Sequence, residues 1–353
     1  GAMRLDDFFE HLALVLMVLS AALPLARATN YVLPLLAALL MLANRRMHID
    51  PLVRPYMVVV AAGLLLSPFA NVLGFQDLYL ILAGCSVALV GYRRLWSWNV
   101  LFVGALMGQF VTTLAMAGEM GLGAYIGAFQ LDIMRSVSSL ESNFSFVFGV
   151  LAVWAAYEKR WTGFLLALVM TVLTLKRIAV LGVLLCLMVQ VLPRQLSRFI
   201  LHPVTMIVVN GAGVALALMY GSGAFDTYIV QYTQQSANEL GQGRQELIRF
   251  IVSEFLREPA RFLAVGMGPG ESYRMMKGGA DWMAKQNLHA DNLKILYEYG
   301  AIVFVAFFWA LFAQRHFGVR LMALYVNVIL LTDNTLIYPF FIYFATLAAA
   351  CMA

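Results

Sequence analysis

Charge is what this sequence has least of. Only 12% of its 353 residues are Asp, Glu, Lys or Arg, against 62% that are hydrophobic, whereas a soluble domain carries about 25% charged residues. That deficit excludes an ordinary soluble fold, and repeated apolar runs of roughly 20 residues are the mark of a bilayer-embedded chain. Cysteine is nearly as scarce. Cys85, Cys186 and Cys351 each fall inside an apolar segment, so neither a disulfide framework nor paired metal-ligand spacing is available. No Asp-x-Asp pair occurs on the expected outer face, which gives no support to metal-dependent glycosyl transfer of the acidic-motif type. Neither a metal site nor a cofactor is expected. A basic stripe and nucleic-acid motifs are missing too, so no nucleic-acid partner is expected. Few ionisable groups fall within the span interiors, which argues against a proton relay or an ion-coupled transporter.

What is present is a succession of apolar segments at about 9–26, 31–44, 55–74, 77–91, 97–117, 143–157, 161–175, 178–192, 199–220, 299–314, 318–333 and 335–351. They predict an all-α polytopic membrane protein of about 12 transmembrane helices. Gly1-Ala2-Met3 reads as a tag remnant ahead of a native Met, and no cleavable signal peptide is expected. With the N-terminus inside, the short inner segments hold twelve Lys/Arg, among them Arg45, Arg46, Arg93, Arg94, Lys159 and Arg160. The short outer ones hold four: Arg27, Arg135, Lys176 and Arg177. This is the positive-inside asymmetry. It divides the chain into a bundle over 1–220 with a minor outer loop at 118–142, a large helical outer loop at 221–298 between spans nine and ten, and a closing bundle over 299–353.

In the large loop, GRQELIRFIVSEFLRE reads as an amphipathic helix, apolar at Leu247, Ile248, Ile251 and Phe255 and stopped by Pro259. Gly241-Gln242-Gly243-Arg244 opens it, and a glycine-led helix N-terminus with an Arg favours anions. Lys176 and Arg177 interrupt one apolar stretch from 161 to 192. Two cations in an outer turn that needs no charge point to function. GMGPGE at 266–271 lacks the strand and helix of a dinucleotide fingerprint and reads as a tight turn. Of five histidines, His11, His48, His202 and His316 lie at the inner face by this topology, leaving His289 alone outside. Histidine is the side chain best suited to general base work near neutral pH.

In order along the chain, Lys176-Arg177, Gly243-Arg244-Gln245-Glu246-Leu247-Ile248, Pro259, Gly266-Met267-Gly268-Pro269-Gly270, His289-Ala290-Asp291-Asn292-Leu293 and Glu298-Tyr299-Gly300 resemble the outer-loop pattern of the O-antigen ligase and polymerase superfamily. The family has Asn directly after the His. Here that place is Ala290, with Asn292 nearby. The resemblance implies transfer of an oligosaccharide from an undecaprenyl-pyrophosphate carrier to an acceptor hydroxyl at the periplasmic face of the bacterial inner membrane. By resemblance, Arg177 and Arg244, supported by Lys176, would hold the pyrophosphate, and His289 would take the acceptor proton without metal, inverting the anomeric carbon. Arg135, Asn292 and Asp291 are further candidate substrate contacts. Asp291 is also a weak candidate to orient the imidazole, since residues two apart on a helix do not face each other. The implied partners are the lipid-linked glycan, membrane lipids and a chain-length regulator. Polymerase is the first reading and a ligase acting on lipid A–core the alternative. A flippase or exporter of the same glycan needs a charged path through the bundle, which the sequence does not suggest.

Overall fold

The structure, a computed structural model, describes residues 5–91, 96–132, 137–241, 243–277 and 288–353. Its helices run in order α1 Leu5–Ala22, α2 Val32–Asn44, α3 Val53–Leu65, α4 Val72–Val90, α5 Trp98–Met120, α6 Leu122–Gly127, α7 Phe144–Tyr157, α8 Trp161–Leu173, α9 Arg177–Val191 and α10 Arg194–Ile200. There follow α11 Pro203–Gly221, α12 Asp226–Thr233, α13 Ala237–Leu240, α14 Arg244–Arg257, α15 Pro259–Ala264, α16 Glu271–Lys277, α17 Asp291–Phe312, α18 Phe317–Leu330 and α19 Pro339–Cys351. The one sheet among the described residues is a two-residue antiparallel pair, Leu131–Asp132 with Val137–Ser138, inside the minor loop.

Among the described residues, five segments are long and apolar enough to cross a membrane: Pro24–Asn44, Val72–Val90, Trp98–Met120, Pro203–Gly221 and Asp291–Phe312. Six shorter apolar helices accompany them. Burial sorts these helices into two kinds. α7 and α19 are buried all round, and α18 nearly so, which is how a helix at the centre of a bundle reads. α5, α8 and α11 instead expose stripes of large apolar side chains, such as Val103, Met107, Phe110 and Leu114 on α5. A stripe of this size facing outward is stable only against another apolar phase. The protein is therefore membrane-embedded and helical.

The helices of the centre pack through small residues. A Cβ on Gly149 of α7 would overlap the Tyr325 hydroxyl of α18, and that hydroxyl donates to the Phe146 carbonyl at 2.9 Å. Such close approach is the usual basis of helix association in lipid.

The sequence pattern places the tenth span at 299, yet the helix begins at Asp291, and the residues from Asp291 to Gly300 are buried. Polar side chains in its first two turns hide it from a hydropathy reading, because they are satisfied inside the protein. Lys294 Nζ meets Asp77 Oδ2 of α4 at 2.6 Å and the Tyr273 hydroxyl of α16 at 3.1 Å, and Tyr273 donates to Asp77 Oδ1 at 3.1 Å. Burial holds the Tyr273 phenol above the usual phenol range, with Lys294 partly opposing it. Glu298 accepts from the Ser272 hydroxyl and backbone N–H. The expectation that the spans carry few ionisable groups is thus corrected: a buried ionic cluster joins α4, α16 and α17.

GMGPGE, read from sequence as a tight turn, clamps the 221–298 segment onto this cluster. Gly266, Gly268 and Gly270 all have positive φ (73°, 113° and 83°). Met267 and Gly268 N–H donate to the Tyr297 and Glu298 carbonyls at 2.8 and 3.0 Å. On the other side Asn71 Nδ2 donates to the Gly270 carbonyl at 2.7 Å, while Asn71 Oδ1 caps α4 at Gly74 N–H. Gly300, with φ 80° and ψ 177°, breaks α17 where residues 264–266, at the end of α15, lie against it. The loop is therefore fastened to the bundle at α4 and α17.

Candidate functional site

Three turns and two helix starts meet at one end of the bundle. The α8–α9 turn brings Leu175, at φ 40°, then Lys176 and Arg177. The α13–α14 turn, through Gly243 at φ 82°, presents Arg244 as the first residue of α14. The residues ahead of α17 carry His289, and the α18–α19 connection carries Thr332 and Asp333. Together with Glu141, Asn143, Leu247 and Tyr338 they line a single cavity of about 830 Å³. Lys176, Arg177, Arg244 and His289, separated by up to 113 residues in the chain (289 − 176), thus share one wall.

The electrostatics of this wall are unusual. Arg177 opens α9 and Arg244 opens α14, and neither helix has a side-chain N-cap. A helix N-terminus carries about half a positive charge, so a guanidinium there adds like charge to like. Lys176 is neutralised by Glu141 at 2.7 Å, but among the described residues neither arginine has an ion-pair partner. Two uncapped helix starts with two unpaired guanidinium forks make a site for a polyanion. The Gly243 conformation matters here, since αL is readily adopted only without a Cβ.

His289 is partly exposed to the cavity. Among the described residues its Nδ1 has no hydrogen-bond partner, and it lies 3.7 Å from Asp333 Oδ1. Asp333 is held in turn by the Asn334 N–H at 2.9 Å, and Asn334 accepts from the Tyr338 hydroxyl at 2.7 Å. Imidazole and carboxylate are therefore at ion-pair distance, and a small rotation would bring them to hydrogen-bonding distance.

Asp291 and Asn292 are placed elsewhere. Asp291 is fully buried and accepts the Leu336 N–H at 2.7 Å, which pins the start of α17 to the α18–α19 connection. Asn292 is buried as well and accepts its neighbour Leu293's N–H at 2.8 Å. Neither borders the cavity, so the carboxylate beside the imidazole is Asp333. Arg135 lies outside the described residues. Asp333 was open to sequence reasoning through one signal: it is the only acidic residue after Glu298. The apolar pattern on both sides absorbs it into a span. Chemically, the arrangement can hold a multiply charged anion and offer a base beside it. No protein-family model matches the chain, and no curated protein matches it significantly.

Proposed function

We propose that the chain is a bacterial inner-membrane glycosyltransferase that extends a surface polysaccharide. It spans the bilayer about twelve times, with the cavity facing the periplasm. The donor is an oligosaccharide on undecaprenyl pyrophosphate, and the acceptor is the hydroxyl of a second lipid-linked repeat unit. One arrangement supports this reading above all: Arg177 and Arg244, at two helix starts, lie on the same cavity wall as His289. The acceptor oxygen attacks the anomeric carbon from the face opposite the phosphate, so the new C–O bond forms as the old one breaks and the configuration inverts. His289 takes the hydroxyl proton, and the electron pair of the broken bond leaves on the pyrophosphate. The two arginines neutralise that growing charge where water is partly excluded, and this is where electrostatic stabilisation is most effective. Asp333 steadies the imidazolium.

A ligase that hands the same glycan to lipid A–core would use identical chemistry. A flippase fits less well, since the basic residues gather in a cavity at one end of the helices and the buried Lys294 of α17 is paired with Asp77 of α4. The test is to supply purified protein with the lipid-linked repeat unit alone and look for a product ladder. A ladder from the wild type and none from folded His289→Ala is expected. Transfer only after lipid A–core is added would make the protein a ligase, and a His289→Ala variant as active as wild type would sink the mechanism.

A further inference from the structure

The imidazole and the carboxylate of the site come from separate stretches of chain, and something must hold those stretches in register. His289 lies between Leu288 and Ala290, both buried. Ala290 is extended, at φ −165° and ψ 86°, and Asp291 is the first residue of α17. Opposite them, the α18–α19 connection runs through Asp333, Asn334 and the 3₁₀ turn Thr335–Ile337. It bonds almost entirely to itself and its flanking helices. The Asp333 N–H donates to the Ile329 carbonyl at 3.0 Å, the Asn334 N–H to Asp333 Oδ1, and the Tyr338 hydroxyl to Asn334 Oδ1. Among the described residues, Thr332 Oγ1, Asn334 Nδ2 and Thr335 Oγ1 are buried with no hydrogen-bond partner. The one hydrogen bond among those residues that ties the connection to another part of the fold is the Leu336 N–H to Asp291 Oδ2, at 2.7 Å.

That bond closes a short circuit. Asp291 follows His289 by two residues and Leu336 follows Asp333 by three, and the far side of the circuit is the 3.7 Å approach of His289 Nδ1 to Asp333 Oδ1. A carboxylate is a costly group to use for such a tie, because burial strips its hydration. Asp291 is fully buried, its Oδ1 has no partner among the described residues, and Lys294, three residues on, is engaged by Asp77 at 2.6 Å. A buried acid so poorly compensated adds little to stability by itself, so its place is explained by what it holds.

We infer that Asp291 is a positioning residue: its bond to the Leu336 N–H sets the approach of the Asp333 carboxylate to the His289 imidazole, while Asp291 itself stays outside the cavity. The role rests on the transfer reading above, in which that imidazole is the base, but the tie is measurable apart from it.

Asp291→Asn keeps an oxygen for the Leu336 N–H, and Asp291→Leu keeps the bulk without the oxygen. Each is made alone and together with Asp333→Asn. The rate of ladder formation is followed at varied donor, beside hydrogen exchange at the Leu336 amide. Asp291→Leu should lower kcat about tenfold with the donor KM within about twofold, and should speed Leu336 exchange about tenfold or more. Asp291→Asn should stay within about threefold of the wild type on both counts. With Asp333→Asn already present, Asp291→Leu should cost less than about a further twofold, because residues that act through one another are not additive. Losses that multiply in the double variant, an Asn variant as impaired as the Leu variant, or a Leu variant as active as the wild type would each overturn the role. Asp291→Ser, whose side chain ends short of the Leu336 N–H, is read in the same way if Asp291→Leu does not fold. A wild type that makes no product with or without lipid A–core would sink the transferase reading. In that event faster Leu336 exchange in Asp291→Leu but not in Asp291→Asn still supports the tie, and equal exchange in all three overturns it.

Discussion

Lys294 and Asp77, 217 residues apart, meet at 2.6 Å with neither side chain more than 7% exposed. Removing one member of such a pair strands the other charge, which costs about 3–5 kcal/mol, whereas replacing both by apolar groups of similar size is often neutral. Lys294→Met should therefore lower the thermal midpoint in detergent markedly, and Asp77→Leu added to it should restore most of the loss. A double variant no better than the single would show that the pair does more than neutralise itself.

Tyr273 completes that cluster, and its raised pKa gives the fold a pH dependence. A phenol whose folded value lies above its free value of about 10 contributes stability in full below that pH and loses it as the pH rises toward the folded value. Unfolding monitored from pH 8 to 12 should steepen above about pH 10, and Tyr273→Phe should soften that alkaline limb while leaving neutral behaviour within about 1 kcal/mol.

His289 and Asp333 divide a different labour. His289→Ala should cut turnover by about 10²–10⁴-fold with the thermal midpoint unchanged. Asp333→Asn, which keeps the shape but not the charge, should lower kcat by about tenfold or more and leave the donor KM alone. A donor KM that moves with kcat would assign Asp333 to binding.

Arg177 and Arg244 present planar forks that lysine does not reproduce. Each Arg→Lys should keep part of the activity, each Arg→Ala should lose more, and the wild-type donor KM should climb with ionic strength. An activity insensitive to salt from about 50 to 500 mM would contradict a charge-based grip.

Gly268, at φ 113°, has the Phe69 carbonyl oxygen where a Cβ would sit. Gly268→Ala combines backbone strain with overlap and should cost about 1–3 kcal/mol or more. Limited proteolysis of 221–298 should speed up accordingly, and an unchanged cleavage rate would argue that the clamp is dispensable.

How far the sequence foretold this molecule depends on which force wrote each part. The apolar segments are written by burial in lipid and core, so all twelve reappear as helices, within a few residues save the third, which stops at Leu65 rather than 74, and the tenth. There Lys294 and Glu298 read as solvent-facing because their partners, Asp77 and Ser272, lie on distant segments. The loop cations were legible because Lys176, Arg177 and Arg244 break local rules of charge placement, and that needs no tertiary knowledge. Asp333 breaks no local rule, an acid at the end of an apolar segment, so only its place beside His289 on a shared cavity marks it. For Asp291 the reverse holds. Proximity in the chain to His289 suggested a partnership, and the fold turns its carboxylate to the Leu336 N–H.

The three central helices, α7, α18 and α19, have 14, 14 and 13 residues, or about 20 Å each, while α5 at their flank has 23, about 34 Å. A hydrocarbon layer is about 30 Å thick. The central helices are thus shorter than that layer, and the residues at or beside the starts of α7 and α9 and the end of α18, namely Asn143, Arg177 and Thr332, line the His289 cavity. On the proposed reading, an amphiphile anchored in the surrounding leaflet has only this shortened centre of the bundle to cross before its head meets Arg177 and Arg244.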